Sequence, residues 1–270
     1  MSAPSPGIDR RAARRRFERA AGTYLQAARL EGEIAARMLE RLDYIRLAPR
    51  RVLDAGSGPP RRALGKRYPK ASVIALDFAL PMLPRRTLLA RFVTRNIVPV
   101  CAELERLPLA GGSVDLAWSN MALHWVDEPL AVFRELRRVL APDGLLMFST
   151  LGPDSLKELR SAAGDRRVHR FIDMHDLGDM LLAAGLSNPV MDMEMLTFAY
   201  ADAGRLLRDL RASGQTSARA DRPRGLAGRR FAGDLHRALG DKPQATFEVV
   251  YGHAWKAQDA KTVRIFKSIP

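Results

Sequence analysis

The sequence predicts an α/β fold in which a mostly parallel sheet carries helices on both faces. Short apolar segments, typical of buried strands, alternate with segments whose apolar residues recur every three or four positions, as they do in helices. The alternation is clearest between residues 51 and 151. Two neighbouring parallel strands need a crossover, which is usually a helix, so this rhythm favours a doubly wound sheet.

The individual elements follow from local signals. Strands are predicted at 51–55, 72–76, 97–102, 113–120, 145–151, 190–200 and 245–255. Helices are predicted at 9–42, 61–68, 129–140, 154–163, 174–185, 201–214 and 231–240. Pro129 suits the first turn of its helix, where its missing N–H would have no partner. A turn is expected at 141–144 and a polar, basic loop at 215–230.

Composition limits the class of protein. A chain of 270 residues with 47% hydrophobic residues can bury a core, and one domain with an added lobe is expected. The single cysteine, Cys101, cannot form an internal disulfide, which is compatible with a reducing compartment. The sequence has no apolar run of about 18–20 residues, so we expect no membrane span and a cytoplasmic location.

The formal net charge of +14 is compatible with a well-solvated, arginine-rich surface or with an acidic partner. Nucleic acid, an acidic carrier protein and a phosphate-bearing substrate would all satisfy this charge. Charge alone does not choose among them.

A ligand site is indicated by the stretch "RVLDAGSGPP" at 51–60. Gly56 and Gly58 follow Asp54 at the end of a strand, and glycines let a ligand approach the main chain. Asp77 ends the second strand, where an acid can accept hydrogen bonds from ribose hydroxyls, and Glu103 follows the third. Any one acid could be a solvated strand end, but the three together predict a nucleoside site at the carboxyl edge of the sheet.

The glycine pair with acids after strands two and three resembles class I methyltransferases that use S-adenosylmethionine, over residues 50–151. The resemblance implies a seven-stranded, mostly parallel, Rossmann-like sheet whose last strand pair is antiparallel. It also implies roles for individual residues: Gly56 and Gly58 along the methionine and ribose, with Asp54 nearby, Asp77 on the ribose hydroxyls, Glu103 and Leu104 at the adenine, and Ser119 and Asn120 on the far wall.

Pro60 argues against a dinucleotide as the ligand. A dinucleotide fold places a glycine where the pyrophosphate meets the helix. S-adenosylmethionine has no phosphate, so Pro60 can occupy the first helical turn. The methyltransferase pattern often has "GPG" here, and Pro60 departs from it, which bears on cofactor affinity.

Longer segments resemble one methyltransferase family. They are "FERAAGTY" (17–24), "AELERLPLAGGSVDLAWSNMALHWV" (102–126), "FSTLGPDSLKELR" (148–160), "HRFIDMHDLGDML" (169–181), "LLRDLRASGQT" (206–216) and "ATFEVVYGHAWK" (245–256). In this order they are similar to the malonyl-acyl-carrier-protein O-methyltransferase family of biotin synthesis. That resemblance implies methyl transfer to the free carboxylate of a malonyl thioester. The partner it implies is an acidic acyl carrier protein, with coenzyme A as the other possible carrier.

A carboxylate needs no general base, because it is already ionised at neutral pH. The expected task of the protein is to hold it in line with the methyl group, and an arginine fork suits that task. Arg170 is the first candidate, and Arg208 and Arg211 share a helix face. Tyr24 could close over the methyl donor, and Phe171 could wall the acyl pocket. For "HW" at 124–125, packing beneath the cofactor is favoured over catalysis.

The resemblance divides the chain into four parts. N-terminal helices at 1–48 form part of a lid, 49–200 forms the cofactor-binding core, 201–244 is a helical lid insertion, and 245–270 holds the last core strand and a tail. We expect the basic segment 10–19 or the loop 222–230 to dock the carrier protein. The His and Cys residues have no metal-ligand spacing.

Three alternatives stay open at this point. The mitochondrial complex I assembly factor that hydroxylates an arginine shares "LHWV" and "DLG", so a protein-modifying enzyme is one. A non-catalytic protein with the same fold is the second. A nucleic-acid methyltransferase is the third and is disfavoured, because the sequence shows no aromatic and basic platform for bases and carries "SNMA" after strand four.

Overall fold

A seven-stranded sheet forms the centre of the molecule, in the order β3-β2-β1-β4-β5-β7-β6. The computed structural model describes residues 7–59, 63–84, 96–225 and 228–258. The strands are β1 (Arg51–Ala55), β2 (Ser72–Asp77), β3 (Ile97–Cys101), β4 (Val114–Asn120), β5 (Leu140–Leu151), β6 (Ser187–Ala199) and β7 (Gln244–Trp255).

The pairing directions confirm the predicted fold class. Strands β3, β2, β1, β4 and β5 pair in parallel, whereas β7 is antiparallel to both β5 and β6. The order reverses beside β1, where β2 pairs on one side and β4 on the other. In open α/β sheets, ligands bind at such a switch point, outside the carboxyl ends of the strands.

Helices cover both faces of this sheet. They are α1 (Arg10–Ala20), α2 (Tyr24–Ala27), α3 (Arg29–Arg41), α4 (Ala63–Arg67), α5 (Pro129–Val139), α6 (Lys157–Ala163), α7 (Met174–Ala183), α8 (Ala203–Ala212) and α9 (Arg229–Leu239). One face buries Ile34 and Met38 of α3 with Leu116 of β4. The other buries Phe133 and Leu136 of α5. Burying each such side chain contributes roughly 1.5–3 kcal/mol.

The helical spacing predicted over 9–42 is divided among three helices, with a turn at 21–23 between α1 and α2. Gly22 has poor helix propensity, and the hydroxyl of Thr23 donates to the carbonyl of Ala212 at 2.7 Å. That contact ties the turn to α8, so the chain bends around the sheet edge instead of running straight.

Two other boundaries differ from prediction for backbone reasons. The helix predicted from 154 begins at Lys157, because Leu156 before it has a φ of 56°. The turn predicted at 141–144 lies inside β5, where the pairing with β4 shifts register and Asp143 has a φ of 61°. Both sites are left-handed backbone at non-glycine residues, which propensity does not predict.

The N-terminal segment and the loop after α8 are joined by backbone hydrogen bonds. Asp9 N donates to Ala218 O at 2.7 Å, and Ala220 N donates to Gly7 O at 2.8 Å. These two segments, far apart in sequence, therefore meet over the carboxyl edge of the sheet. In the described part of the chain, no helix combines the length and apolarity that a membrane span requires.

Candidate active site

The glycine turn after β1 forms the base of the site. Gly56 and Gly58 have φ values of 78° and 57°, in the left-handed region. The N–H groups of Gly56 and Ser57 both donate to Leu76 O, at 2.8 and 2.9 Å. A Cβ at Gly56 would lie 2.4 Å from the Cβ of Ala122. Glycine is therefore required here by the close approach of the segment after β4. The predicted role of Pro60 falls outside the described residues.

Asp77 links the end of β2 to this turn. Its carboxylate accepts from Gly58 N at 3.0 Å and from Ala79 N at 2.8 Å. Burial raises the pKa of Asp77 to about 6, against the opposing effect of these N–H donors. Burial, followed by the charge of Asp77, raises the pKa of Asp54 to about 7. The two carboxylates thus form a buried acidic pair under the turn.

Helix α1 lies across the residues that follow β3. Arg14 forms an ion pair with Glu103, and Arg10 lies 2.5 Å from Glu105. Phe17 packs edge-on against Phe78, with ring centroids 5.7 Å apart. The helix therefore covers the acids that follow β3 and closes one side of a cavity.

This cofactor cavity has a volume of about 60 Å³. The sequence-predicted residues that line it are Tyr24, Gly56, Gly58, Asp77, Glu103, Leu104 and Asn120. Asp54 lines an adjoining cavity, whose wall also includes Tyr24, Gly56 and Asn120. Tyr24 lies against the turn, since a Cβ at Gly58 would be 3.6 Å from its ring.

Asn120 and Ser119 lie on opposite sides of β4. The Asn120 amide donates to Glu31 O and accepts from Ser149 Oγ, both at 3.0 Å. This fixes the Asn120 side chain at the cavity wall. Ser119 is fully buried, does not line either cofactor-side cavity, and its Oγ has no hydrogen-bond partner among the described residues.

A larger cavity of about 300 Å³ adjoins the first, and we call it the acceptor cavity. Its apolar walls include Leu156, Leu159, Phe171, Phe198, Leu207, Leu210, Phe231 and Phe247. Met121, Trp125 and Gln215 line both the acceptor cavity and the cofactor cavity. Gln215 is held by its amide, which donates to Glu31 Oε1 at 2.7 Å. The two cavities therefore meet at a fixed polar and aromatic boundary.

Two histidines, His124 and the buried His169, lie at this boundary. Burial, followed by the nearby His169, lowers the pKa of His124 to about 3. Burial lowers the pKa of His169 to about 4, and its Nε2 accepts from Ala218 N at 2.7 Å. Both rings are neutral at pH 7. Sequence reasoning placed His124 and Trp125 beneath the cofactor. Trp125 lines both cavities, and His124 lines the acceptor cavity.

Trp125 packs between aromatic rings, and its indole nitrogen has no hydrogen-bond partner among the described residues. Its ring centroid is 4.5 Å from that of His169 and 4.9 Å from that of Phe17. The buried Nε1 has no hydrogen-bond partner among the described residues, and neither has His124 Nε2. A buried indole N–H usually has a partner, so this donor points to a ligand at the boundary.

The three arginine candidates are placed differently. Arg170 is exposed, with its guanidinium 3.5 Å from Asp165, and it does not line the acceptor cavity. Arg208 is also exposed, lies 3.9 Å from Asp202 and does not line it. Arg211 does line the acceptor cavity, as do Arg29 and Arg167, which sequence reasoning missed. In so arginine-rich a chain, no sequence signal separates these two from the others.

The chemistry of the cofactor cavity suits a nucleoside that carries positive charge. Buried carboxylates accept hydrogen bonds from hydroxyl and amino groups, and a cation offsets their charge. Within the described ranges, no group of three or more His, Cys, Asp or Glu side chains is arranged to hold a metal ion.

Comparison with known proteins gives matches along nearly the whole chain. The model of the methyltransferase domain family matches residues 53–148. A malonyl-[acyl-carrier protein] O-methyltransferase from Methylovorus sp. is 49% identical, covering 96% of this chain and 93% of that protein. An enzyme of the same name from Halorhodospira halophila is 44% identical, covering 96% and 94%.

Solved structures match the fold. The 1,6-didemethyltoxoflavin-N1-methyltransferase of Burkholderia thailandensis superposes with a TM-score of 0.54 at 17% identity, covering 96% of this chain and 94% of that one. The YcgJ protein of Bacillus subtilis gives a TM-score of 0.58 at 16% identity, covering 82% and 98%.

Proposed function

Because the chain belongs to the malonyl-[acyl-carrier protein] O-methyltransferase family, we propose that it esterifies the free carboxylate of a malonyl thioester. It is an S-adenosylmethionine-dependent O-methyltransferase. The observation that carries the choice of acceptor is the meeting of an acidic cavity with an apolar one at Met121, Trp125 and Gln215. The methyl ester would enter biotin synthesis.

The cofactor cavity supplies the groups that would hold S-adenosylmethionine. Asp77 has a fixed, buried carboxylate for the ribose hydroxyls, and Glu103 with Leu104 would take the adenine. Asp54 and the glycine turn would lie along the methionine part, with Asn120 on the opposite wall. When bound, the cofactor supplies an electrophilic methyl carbon, which is bonded to a sulfonium sulfur and open to attack by an oxygen nucleophile. The acidic lining favours that positive charge.

The acceptor cavity suits a thioester whose far end is a carboxylate. That carboxylate is ionised at neutral pH, so no residue has to remove a proton. His124 and His169 are neutral at this pH. Neither has to gain or lose a proton in a reaction that needs no general base. A lid formed by the N-terminal helices would exclude water and leave positioning as the main contribution of the protein.

We assign two donors to the carboxylate. Trp125 Nε1 is buried, unpartnered and at the boundary with the cofactor cavity. Arg211 is the arginine among the sequence candidates that lines the acceptor cavity. An N–H donor and a guanidinium can orient a carboxylate without a close, fully buried ion pair, which would reduce its nucleophilicity.

The substrate carrier follows from the same family relation. The relatives are named for malonyl-acyl-carrier protein, and the N-terminal segment 10–19 is rich in arginine. We propose that an acyl carrier protein delivers the malonyl group, with the segments at 1–48 and 201–244 acting as a lid. A cytoplasmic location stays a prediction.

The direct test uses purified protein with labelled S-adenosylmethionine and malonyl-acyl carrier protein. Mass spectrometry should show a methyl ester on the malonyl group. Malonyl-coenzyme A in a parallel reaction shows whether the carrier matters. If neither carrier is methylated while the cofactor binds, the proposed acceptor is wrong, and a hydroxylated arginine on a protein substrate would support the protein-modifying alternative. The absence of heat in calorimetry with millimolar S-adenosylmethionine would support the alternative that this is a non-catalytic protein with the same fold.

Replacing Arg211 tests its assignment. Loss of a charged hydrogen bond costs about 1.5–3 kcal/mol, so Arg211→Ala should raise the KM for the malonyl thioester roughly 10- to 100-fold and leave the cofactor Kd unchanged. The same measurement on Arg170→Ala and Arg208→Ala ranks the three candidates. Arg134→Ala, at an exposed position on α5, is the charge-matched control. A larger KM effect in Arg170→Ala than in Arg211→Ala would reverse the assignment.

A further inference from the structure

An arginine-lined groove of about 570 Å³ lies beside the acceptor cavity. Its walls are Asp9, Arg15, Arg16, Arg167, Ser217, Arg222, Pro223 and Arg224. Arg167 and Ser217 also line the acceptor cavity, so the two voids share a wall. The Ser217 hydroxyl is buried and has no hydrogen-bond partner among the described residues. The shared wall thus offers an unsatisfied donor between the groove and the acceptor cavity.

The positive charge of this groove is poorly neutralised. Asp9 is the acid in its lining, and it lies 2.9 Å from Arg222 and 4.0 Å from Arg224. Within the described part of the chain, Arg15, Arg16 and Arg167 form no ion pair with a carboxylate. Burial and the charge of Arg222 lower the pKa of Arg16 to about 10. An anion in the groove would relieve this repulsion.

Several of these guanidinium groups are held in place. Arg16 Nη1 donates to Thr216 O at 2.8 Å, and Arg222 Nη1 donates to Arg219 O at 2.7 Å. The Arg167 guanidinium stacks 4.1 Å from the centroid of the Phe231 ring. Fixed guanidinium groups lose little freedom when they bind an anion, and their planar fork matches phosphate oxygens.

We propose that this groove binds the phosphate of the phosphopantetheine arm that carries the malonyl thioester. The proposal rests on the proposed function, because it is the thioester substrate that brings this arm. The arm would pass Ser217 and Arg167 to place its malonyl end in the acceptor cavity. A carrier protein offers a phosphodiester here and coenzyme A a pyrophosphate, so the site recognises chemistry that both carriers share.

The first experiment compares two small substrates that differ by one phosphate, malonyl-phosphopantetheine and malonyl-pantetheine. The enzyme should show a kcat/KM at least tenfold higher for the phosphorylated substrate. The double variant R15Q/R224Q should reduce that preference to threefold or less, with little change for malonyl-pantetheine. The double variant R46Q/R134Q, which removes two charges from exposed positions outside the groove, is the control. Equal kcat/KM values of the unaltered enzyme for both substrates would overturn the proposal.

A binding measurement separates failure of this site from failure of the proposed function. Calorimetry with unacylated phosphopantetheine and pantetheine needs no turnover, and the phosphorylated compound should bind at least tenfold more tightly. Equal affinities would overturn the phosphate site even if the malonyl ester forms.

A comparison of the two carriers distinguishes phosphate binding from contact with the surface of the carrier protein. R15Q/R224Q should lower kcat/KM by a similar factor for malonyl-coenzyme A and malonyl-acyl carrier protein. A loss confined to the carrier protein would mean that these arginines contact its acidic surface, and it would overturn the phosphate assignment.

Discussion

In the two cavities that meet at Trp125, burial shifts the pKa values of the titratable groups in opposite directions. In the cofactor cavity and its neighbour, burial raises the pKa of Asp77 to about 6 and that of Asp54 to about 7. In the acceptor cavity, burial lowers the pKa of His124 to about 3 and that of His169 to about 4. Burial therefore favours the uncharged form of all four groups.

This difference separates the tasks of the two sides. In the proposed binding mode, the positive charge of the cofactor would stabilise the charged form of Asp54 and Asp77. The acceptor side keeps its buried histidines neutral and places its arginines at the walls and rim. A substrate carboxylate in such a cavity would stay a competent nucleophile, because the described arginines that line it, Arg29, Arg167 and Arg211, are not buried.

The largest effect should come from the cation that is buried near the acceptor side. Arg219 is 1% exposed, and it donates to both carboxylate oxygens of Asp221 at 2.9 and 2.8 Å. It also donates to Asp165 Oδ2 at 3.0 Å and Val168 O at 3.2 Å. Arg219→Met removes these charged hydrogen bonds and should lower the free energy of unfolding by about 3 kcal/mol, measured by urea denaturation.

The matched control for this prediction is an exposed ion pair. Arg205 lies 3.3 Å from Asp209 on the surface of α8, and Arg205→Met should cost less than about 1 kcal/mol. Similar losses in the two variants would contradict the view that the acceptor side depends on a buried, paired cation.

The cofactor side was predictable because its signals are local. The apolar strand 51–55, the glycine turn and Asp77 at the end of the next strand lie within 27 residues of one another. Parallel pairing then brings strand ends to one edge without further information. Ser119 shows the limit: alternation along β4 puts neighbouring side chains on opposite faces, and the side chain that lines the cavity is Asn120.

The acceptor side was less predictable because it is assembled from distant segments. Gln215 meets Glu31 across 184 positions of sequence, and the Trp125 ring packs on His169. Spacing cannot show such pairs. The turn between α1 and α2 likewise contacts a distant segment, because the Thr23 hydroxyl donates to Ala212 O. Lysine and arginine together number 44 in the chain, so composition could not single out the arginines of the acceptor cavity and its neighbouring groove.

An effect of intermediate size should appear in the pH dependence of stability. The folded protein resists protonation of His124, whereas the unfolded chain takes up a proton below its ordinary pKa of 6.5. Stability is therefore lost as pH falls below 6.5, by about 2 kcal/mol at pH 5 for this residue. Between pH 7 and pH 5, the free energy of unfolding should decrease by about 2 kcal/mol less in His124→Gln than in the unaltered protein, measured by urea denaturation. Exposed His175→Gln is the control, and an equal loss in His124→Gln would show that His124 is protonated in the folded state.

The smallest effect should appear in the pH dependence of cofactor affinity. Its cause is a raised carboxyl pKa, whereas the previous effect arises from a lowered histidine pKa. Below pH 6 the folded protein holds a proton on Asp77 that must leave when the cofactor binds. The Asp77 proton alone should therefore lower the affinity for S-adenosylmethionine about tenfold between pH 7.5 and pH 5, as calorimetry can measure. Asp77→Asn should bind more weakly at pH 7.5 and lose part of the pH dependence, while Asp54, with its pKa near 7, keeps the rest. Tighter binding at pH 5 than at pH 7.5 would mean that the buried carboxylates do not charge when the cofactor enters, and the contrast between the two cavities would then be wrong.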